Sequence, residues 1–86
     1  MRYDLNDLET FLTVMELGTV TAAAARLNLS KSVVSKRITD LEATLGAALF
    51  RRNAGRITPT EAAQRLTERL RPALSELVAA AESTAW

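Results

Sequence analysis

Residues Thr19 to Leu45 read TVTAAAARLNLSKSVVSKRITDLEATL. Thr19 is a strong N-cap residue, and the alanine-rich run to Leu27 favours helix. Asn28 tolerates the left-handed conformation that ends a helix, and Ser30 is placed to cap the next one. A short helix and a longer one are then separated by about two or three residues, the spacing of a helix-turn-helix. Ala22 to Ala25 permit the close backbone approach of two steeply crossing helices, although a plain alanine-rich helix would carry the same run. The second helix, about 31–45, decides between the two. Val34, Ile38, Leu41 and Leu45 recur at helical spacing as one apolar stripe. Ser32, Ser35, Lys36 and Thr39 lie away from that stripe, with Lys31 beside them at the N-terminal end. Such a face holds hydroxyls and cations, groups that bond to phosphates and base edges.

Charge is distributed to match. The 86 residues carry a net charge of only +1. Between positions 26 and 56, however, Arg26, Lys31, Lys36, Arg37, Arg51, Arg52 and Arg56 stand against Asp40 and Glu42 alone. A basic middle between acidic flanks fits a local phosphate-facing surface better than a generally solvated face, because the cations coincide with the helix-turn-helix. Asp40 and Glu42 are expected to cap charge or to pair with Arg37 or Arg51.

The length suits one small domain with a modest core. No apolar run is long enough to cross a membrane, and the acidic start does not resemble a signal peptide. The absence of cysteine excludes a disulfide scaffold and thiolate metal sites; the absence of histidine removes the commonest general base and metal ligand. No cofactor or metal is expected.

Asp4 is placed to cap a first helix to about Leu17, with Leu5, Leu8, Phe11, Leu12 and Met15 as its apolar stripe and Gly18 as its terminator. Arg2 and Tyr3 read as a disordered start, the alternative being a contact with phosphate or a partner. Gly46 closes the second helix of the pair, and Leu49 and Phe50 give a short apolar element. Arg51 to Ile57 read as two short strands with Asn53 to Gly55 at the tip, a small wing that must lean on Leu49, Phe50 and Ile57. Arg56 is the first candidate for reaching a backbone or a narrow minor groove. Thr58-Pro59-Thr60-Glu61 reads as a capping box with proline at the first helical position. It launches a last helix to about Glu82, in which Leu66, Leu70, Ala73, Leu77 and Ala80 alternate spacings of four and three. Leu74 and Val78 widen that stripe, and Pro72 is expected to kink it. A single small core cannot cover so long a stripe, which suggests a partner helix, the other possibility being that it folds back on its own domain.

The expected fold is therefore mostly α: a winged helix-turn-helix with a three-helix core and a small two-stranded wing (1–58), followed by a long linker helix (59–86).

The runs AAxxL (Ala23, Ala24, Leu27), VSxxIxxLE (Val34, Ser35, Ile38, Leu41, Glu42), LGxxLFxR (Leu45, Gly46, Leu49, Phe50, Arg52) and TPTEA (Thr58 to Ala62) follow in an order and spacing that resemble the N-terminal DNA-binding domain of LysR-type transcriptional regulators. Together they cover nearly the whole chain. The resemblance implies sequence-specific binding of double-stranded DNA by a cytoplasmic, nucleoid-associated homodimer, with two recognition helices on an interrupted inverted repeat. Ser32, Ser35, Lys36 and Thr39 would read bases or nearby phosphates, Lys31 and Arg37 would add charge, and Thr19 and Thr21 would hold phosphate at a helix start. Arg52 matches the family arginine that contacts backbone or anchors the wing. The last helix corresponds to the linker that pairs antiparallel with its twin, a role that falls on Leu66, Leu70, Leu74 and Leu77. Family members continue into a C-terminal domain that binds a small inducer and assembles tetramers; nothing in the chain resembles it, so a piece cut after the linker is expected, with no special role for Trp86.

Lys31 and Ser32 stand where relatives often have glutamine and proline. Lysine only donates, so an amide contact to adenine gives way to guanine O6 and N7 or to phosphate. Ala63 stands where the family has glycine, a small change in a helix. Two other functions compete. A helical protein-interaction module would share the leucine stripe but need no arginines at 51, 52 and 56. An enzyme would need a constellation of carboxylates, serines or lysines that the sequence does not display.

Overall fold

The computed structural model describes residues 2–85; Trp86 lies outside the described residues. The element order is α1 (Leu5–Leu17), α2 (Val20–Leu27), α3 (Lys31–Leu45), β1 (Phe50–Asn53), β2 (Arg56–Pro59) and α4 (Glu61–Thr84). This is the winged helix-turn-helix with a long terminal helix that the sequence led us to expect.

Short polar side chains set the helix ends. The side-chain oxygen of Asp4 accepts from the Asn6 N–H, that of Thr19 from Ala22 and that of Ser30 from Val33. Each cap satisfies an orphan donor and is worth about 1 kcal/mol. At the other ends, Gly18, Asn28 and Gly46 all take left-handed backbone. Asn28 does so at φ 56° and hands on its N–H to Ala24 and Ala25, which turns the chain from α2 into α3.

The core joins all of these elements. Phe11, Val14, Ala23, Ala24, Val34, Ile38, Leu41, Leu49, Phe50 and Ala63 are buried together. The rings of Phe11 and Phe50 meet at 5.8 Å, tilted by 48°, so the base of the wing is stacked onto α1. Ala23 and Ala24 sit at the α2 crossing, where small side chains let the backbones approach.

Three expectations need correction. The deep face of α1 is Thr10, Phe11 and Val14, while Leu5 is 42% exposed. Thr10 can take a core seat because its hydroxyl is satisfied inside: it donates to Asn6 O at 2.7 Å and accepts from Arg37 Nη1 at 3.2 Å. The start of the chain is engaged, with Tyr3 packed against the core and Arg2 reaching the Thr44 carbonyl at 3.4 Å. Thr58 and Pro59 belong to β2, where they pair with Arg51 and Phe50; Pro59 ends the strand, a place where a missing N–H is tolerated.

Thr60 is the cap of α4 instead. Its Oγ1 accepts from Ala63 N and donates to Ala48 O at 2.7 Å, and its backbone N–H donates to Leu49 O at 2.9 Å. α4 then runs without interruption through Pro72 to Thr84. Only Ala63 on it is fully buried. Leu66 and Leu70 lean on the core, whereas Leu77 and Val78 are 48% and 47% exposed. The helix therefore folds back over its first part and leaves the remainder of its stripe uncovered.

Candidate nucleic-acid interface

The N-terminal turn of α3, the start of α2 and the inner side of the wing converge. Gly18, Thr19, Val20, Thr21, Lys31, Ser35, Arg52, Gly55, Arg56 and Ile57 line one cleft of about 540 Å³. The singled-out residues Thr19, Thr21, Lys31, Ser35, Arg52 and Arg56 are thus brought to one place from three separate stretches of chain. Lys31, Arg52 and Arg56 make the cleft cationic, and Thr19, Val20 and Thr21 bring the start of α2, the positive end of its dipole, to the same lining.

The wing puts its arginines there by register. β1 and β2 pair antiparallel, Arg52 opposite Ile57 and Asn53 opposite Arg56. Ala54 and Gly55 close the hairpin with φ of 52° and 77°, a two-residue turn with both centres left-handed. The tip is one residue tighter than the three expected, because Asn53 belongs to the ladder. Phe50 is buried on the same side of β1 as Arg52, and the apolar anchor fixes the direction of the charged neighbour two residues on.

Ser32, Lys36 and Thr39 are exposed on α3 outside the cleft. The Ser32 hydroxyl lies 3.1 Å from that of Ser30, and Thr39 Oγ1 donates to Ser35 O at 3.0 Å. Lys36 Nζ donates to Asp40 Oδ2 at 2.8 Å, and this hydrogen bond holds its ammonium above the ordinary lysine pKa. Arg37, expected to add charge, turns its guanidinium inward to Thr10 on α1. Asp40 and Glu42 also depart from expectation. Asp40 pairs with Lys36, and Glu42 Oε2 accepts the backbone N–H groups of Leu49 at 2.7 Å and Phe50 at 3.4 Å. The i,i+4 spacing of Lys36 and Asp40 is the signal that would have revealed their pairing. Val33, 38% exposed, places an apolar side chain on the first turn of α3 that the hydroxyl-and-cation reading passed over.

A second cavity, about 530 Å³, lies between α1 and α4. Leu12, Leu27, Leu74 and Val78 give its apolar lining, and Glu9, Glu16, Arg71 and Glu82 its charged one. Among the described residues no group of three or more His, Cys, Asp or Glu could hold a metal ion, and no helix is long and apolar enough to cross a membrane.

Comparison with known proteins agrees with this geometry. Residues 5–64 match the family described as bacterial regulatory helix-turn-helix protein, lysR family. The HTH-type transcriptional regulator AbaB of Streptomyces antibioticus is 46% identical over 80 residues, covering 93% of this chain and 27% of that protein. An HTH-type transcriptional regulator of Xanthomonas campestris pv. campestris (strain 8004) is 47% identical over 62 residues, covering 72% of this chain and 18% of that protein. The chain thus spans about a quarter or less of the length of these curated relatives. The crystal structure of the CbnR DBD–DNA complex superposes with a TM-score of 0.88 at 30% identity, covering 94% of this chain and 93% of that one. A basic cleft built from helix-turn-helix and wing, on this fold and with these relatives, has one reading: the chain belongs to the lysR family of bacterial regulatory helix-turn-helix proteins and carries that family's DNA-binding domain.

Proposed function

We propose that the chain reads double-stranded DNA as a homodimer on an interrupted inverted repeat, and that it does so within a longer transcriptional regulator. One observation carries the reading: Thr19, Thr21, Lys31, Ser35, Arg52 and Arg56 line a single cationic cleft. α3 enters the major groove through Lys31, Ser32, Ser35, Lys36 and Thr39, which meet base edges or adjacent phosphates. Thr19 and Thr21 hold phosphate at the start of α2. Arg56, at the wing tip, reaches backbone or a narrow minor groove, and Arg52 contacts backbone while steadying the wing. Arg37 serves the fold through Thr10, so its contribution to DNA is long-range charge alone.

Residues 1–58 form the reader and 59–86 the dimerising linker, joined through Pro59 and Thr60. The exposed stripe on α4 supports pairing with a second copy. Its helix carries Arg65, Arg69 and Arg71 against Glu61 and Glu68 in the first half, a net +1, and Glu76 and Glu82 in the second, a net −2. An antiparallel twin would set one half over the other with opposite charges facing. Leu74 and Leu77 then make the central contacts, and Leu66 and Leu70 serve both their own core and the partner. A small-molecule inducer would act on a C-terminal domain outside this chain. The role is binding on the nucleoid in the cytoplasm, with no catalytic step.

The test is fluorescence anisotropy with a randomised duplex pool at two salt concentrations, followed by sequencing of the bound fraction. Enrichment of an inverted repeat, with affinity falling steeply as salt rises, is the expected result. Absence of binding at low salt would overturn the reading and favour α4 as a docking surface for other proteins.

A further inference from the structure

α3 carries two carboxylates, and the fold uses them differently. Glu42 is turned into the molecule, onto the N–H groups of Leu49 and Phe50. Asp40 points outward, its side chain 51% exposed, and bonds to Lys36, 75% exposed, at 2.8 Å. Packing does not require it there. A carboxylate on a helix that approaches phosphates weakens the attraction, so its presence calls for a role.

Its position supplies one. At 3.6 residues per turn Asp40 lies about 140° round the helix from Ser35, which lines the cleft. Lys36 stands between them. Its ammonium is bonded to Asp40, and the charge of Asp7 on α1 adds to the attraction. Contact with DNA therefore competes with Asp40 for the ammonium, one of whose three N–H donors is already engaged.

We propose that Asp40 is a specificity-determining residue, an intramolecular counterion that occupies Lys36 on arbitrary DNA and yields it only to a well-placed partner. Exposed ion pairs are weak and easily exchanged. A guanine O6/N7 edge or a phosphate held in fixed register outweighs the weak bond to Asp40, whereas a transient phosphate contact gains less from displacing it. Asp40 thereby lowers affinity for non-specific DNA more than for a true site and widens the ratio between them. This inference rests on the DNA-reading function proposed above.

The experiment is a salt titration of the 86-residue chain on a short mixed-sequence duplex and on a duplex selected from the randomised pool. Asp40→Asn is expected to tighten mixed-sequence binding by roughly two- to five-fold, and to steepen its salt slope by up to about 0.9 as Lys36 becomes a phosphate ligand. Binding to the selected duplex changes less, so discrimination falls. Asp40→Glu keeps the charge and should preserve discrimination. In a Lys36→Ala background, Asp40→Asn should give a smaller gain and no change of slope. Equal gains in both backgrounds would mean that Asp40 acts through bulk charge, and no gain at all would mean that it does not compete for Lys36; either result overturns the proposal while leaving wild-type DNA binding intact. If the wild-type chain binds neither duplex, the DNA-reading function itself fails and this proposal with it. Circular dichroism melting of each variant separates a folding defect from these outcomes.

Discussion

Glu42 and Leu49 are joined across the end of the recognition helix: the Glu42 carboxylate accepts the Leu49 backbone N–H at 2.7 Å. The same oxygen lies 3.4 Å from the Phe50 N–H, so one side chain ties α3 to the first residues of the wing. Hydrogen bonds to a charged group are worth about 1.5–3 kcal/mol. Glu42→Ala should therefore cost about that much in urea unfolding, and Glu42→Gln less. Each should also loosen DNA binding, although loss of a negative charge alone would tighten it, because the wing arginines lose their register with α3.

Lys36 and Arg37 are neighbours with opposite assignments. Lys36→Ala should leave the melting temperature close to wild type and lower affinity for a selected duplex, reducing the salt slope by about one. Arg37→Ala should cost about 1–2 kcal/mol of stability, since it removes a charged donor from buried Thr10, with little change in the slope. A reversed pattern in paired melting and binding experiments would exchange the two roles.

Ala54 holds left-handed backbone at φ 52° beside Gly55. An L side chain is strained there, and Gly or Asn is better suited. Ala54→Gly or Ala54→Asn should stabilise the chain by about 0.5–1 kcal/mol, read as a higher denaturation midpoint. A lower midpoint for both would show that the turn is held by contacts of the alanine methyl.

The two ends of the leucine stripe should respond differently to charge. Leu77 is 48% exposed, so Leu77→Lys should weaken the proposed dimer in sedimentation velocity while leaving the helical circular dichroism signal unchanged. Leu70 leans on the core, and Leu70→Lys should lower the melting temperature as well. A dimer unaffected by Leu77→Lys would remove α4 from the interface.

Asp7 lies where burial, then Asp4 and Asp40, push its carboxyl above the ordinary value of 3.8, against the pull of Arg37 and Lys36. A raised carboxyl binds its proton more readily in the folded chain. Its favourable contribution is present in full below 3.8 and is lost as pH rises through the folded value. Asp7→Asn should therefore raise stability slightly near neutral pH, and the advantage should disappear on acidification. Thermal melts across a pH series would show this convergence; an advantage that grew toward acid would contradict it.

Much of the fold could be read from short-range chemistry. Asp4, Thr19 and Ser30 cap, and Gly18, Asn28 and Gly46 terminate, because each acts within three or four residues of itself. The α4 start was misread for the same reason. Thr58 and Thr60 are equally good local caps, and only pairing of Thr58 with Arg51 across the hairpin withdraws the first. The turn was misjudged because nothing local announces that Ala54 will accept positive φ. The contact of Arg37 with Thr10 is not legible in the spacing, because the two lie 27 residues apart on different helices. The convergence of Thr19, Lys31 and Arg56 on one cleft is likewise a property of packing, invisible in their spacing.

Thr60 gives the molecule a mechanical character. Its backbone N–H and its hydroxyl both hang from the base of the hairpin, at Leu49 and Ala48, while the same hydroxyl seats the first turn of α4. These three bonds tie the start of α4 to the base of the hairpin that carries Arg52 and Arg56. A helix of 24 residues is thus anchored at one end to the hairpin that carries two of the cleft's arginines, so a turn of that helix would be felt first at the wing.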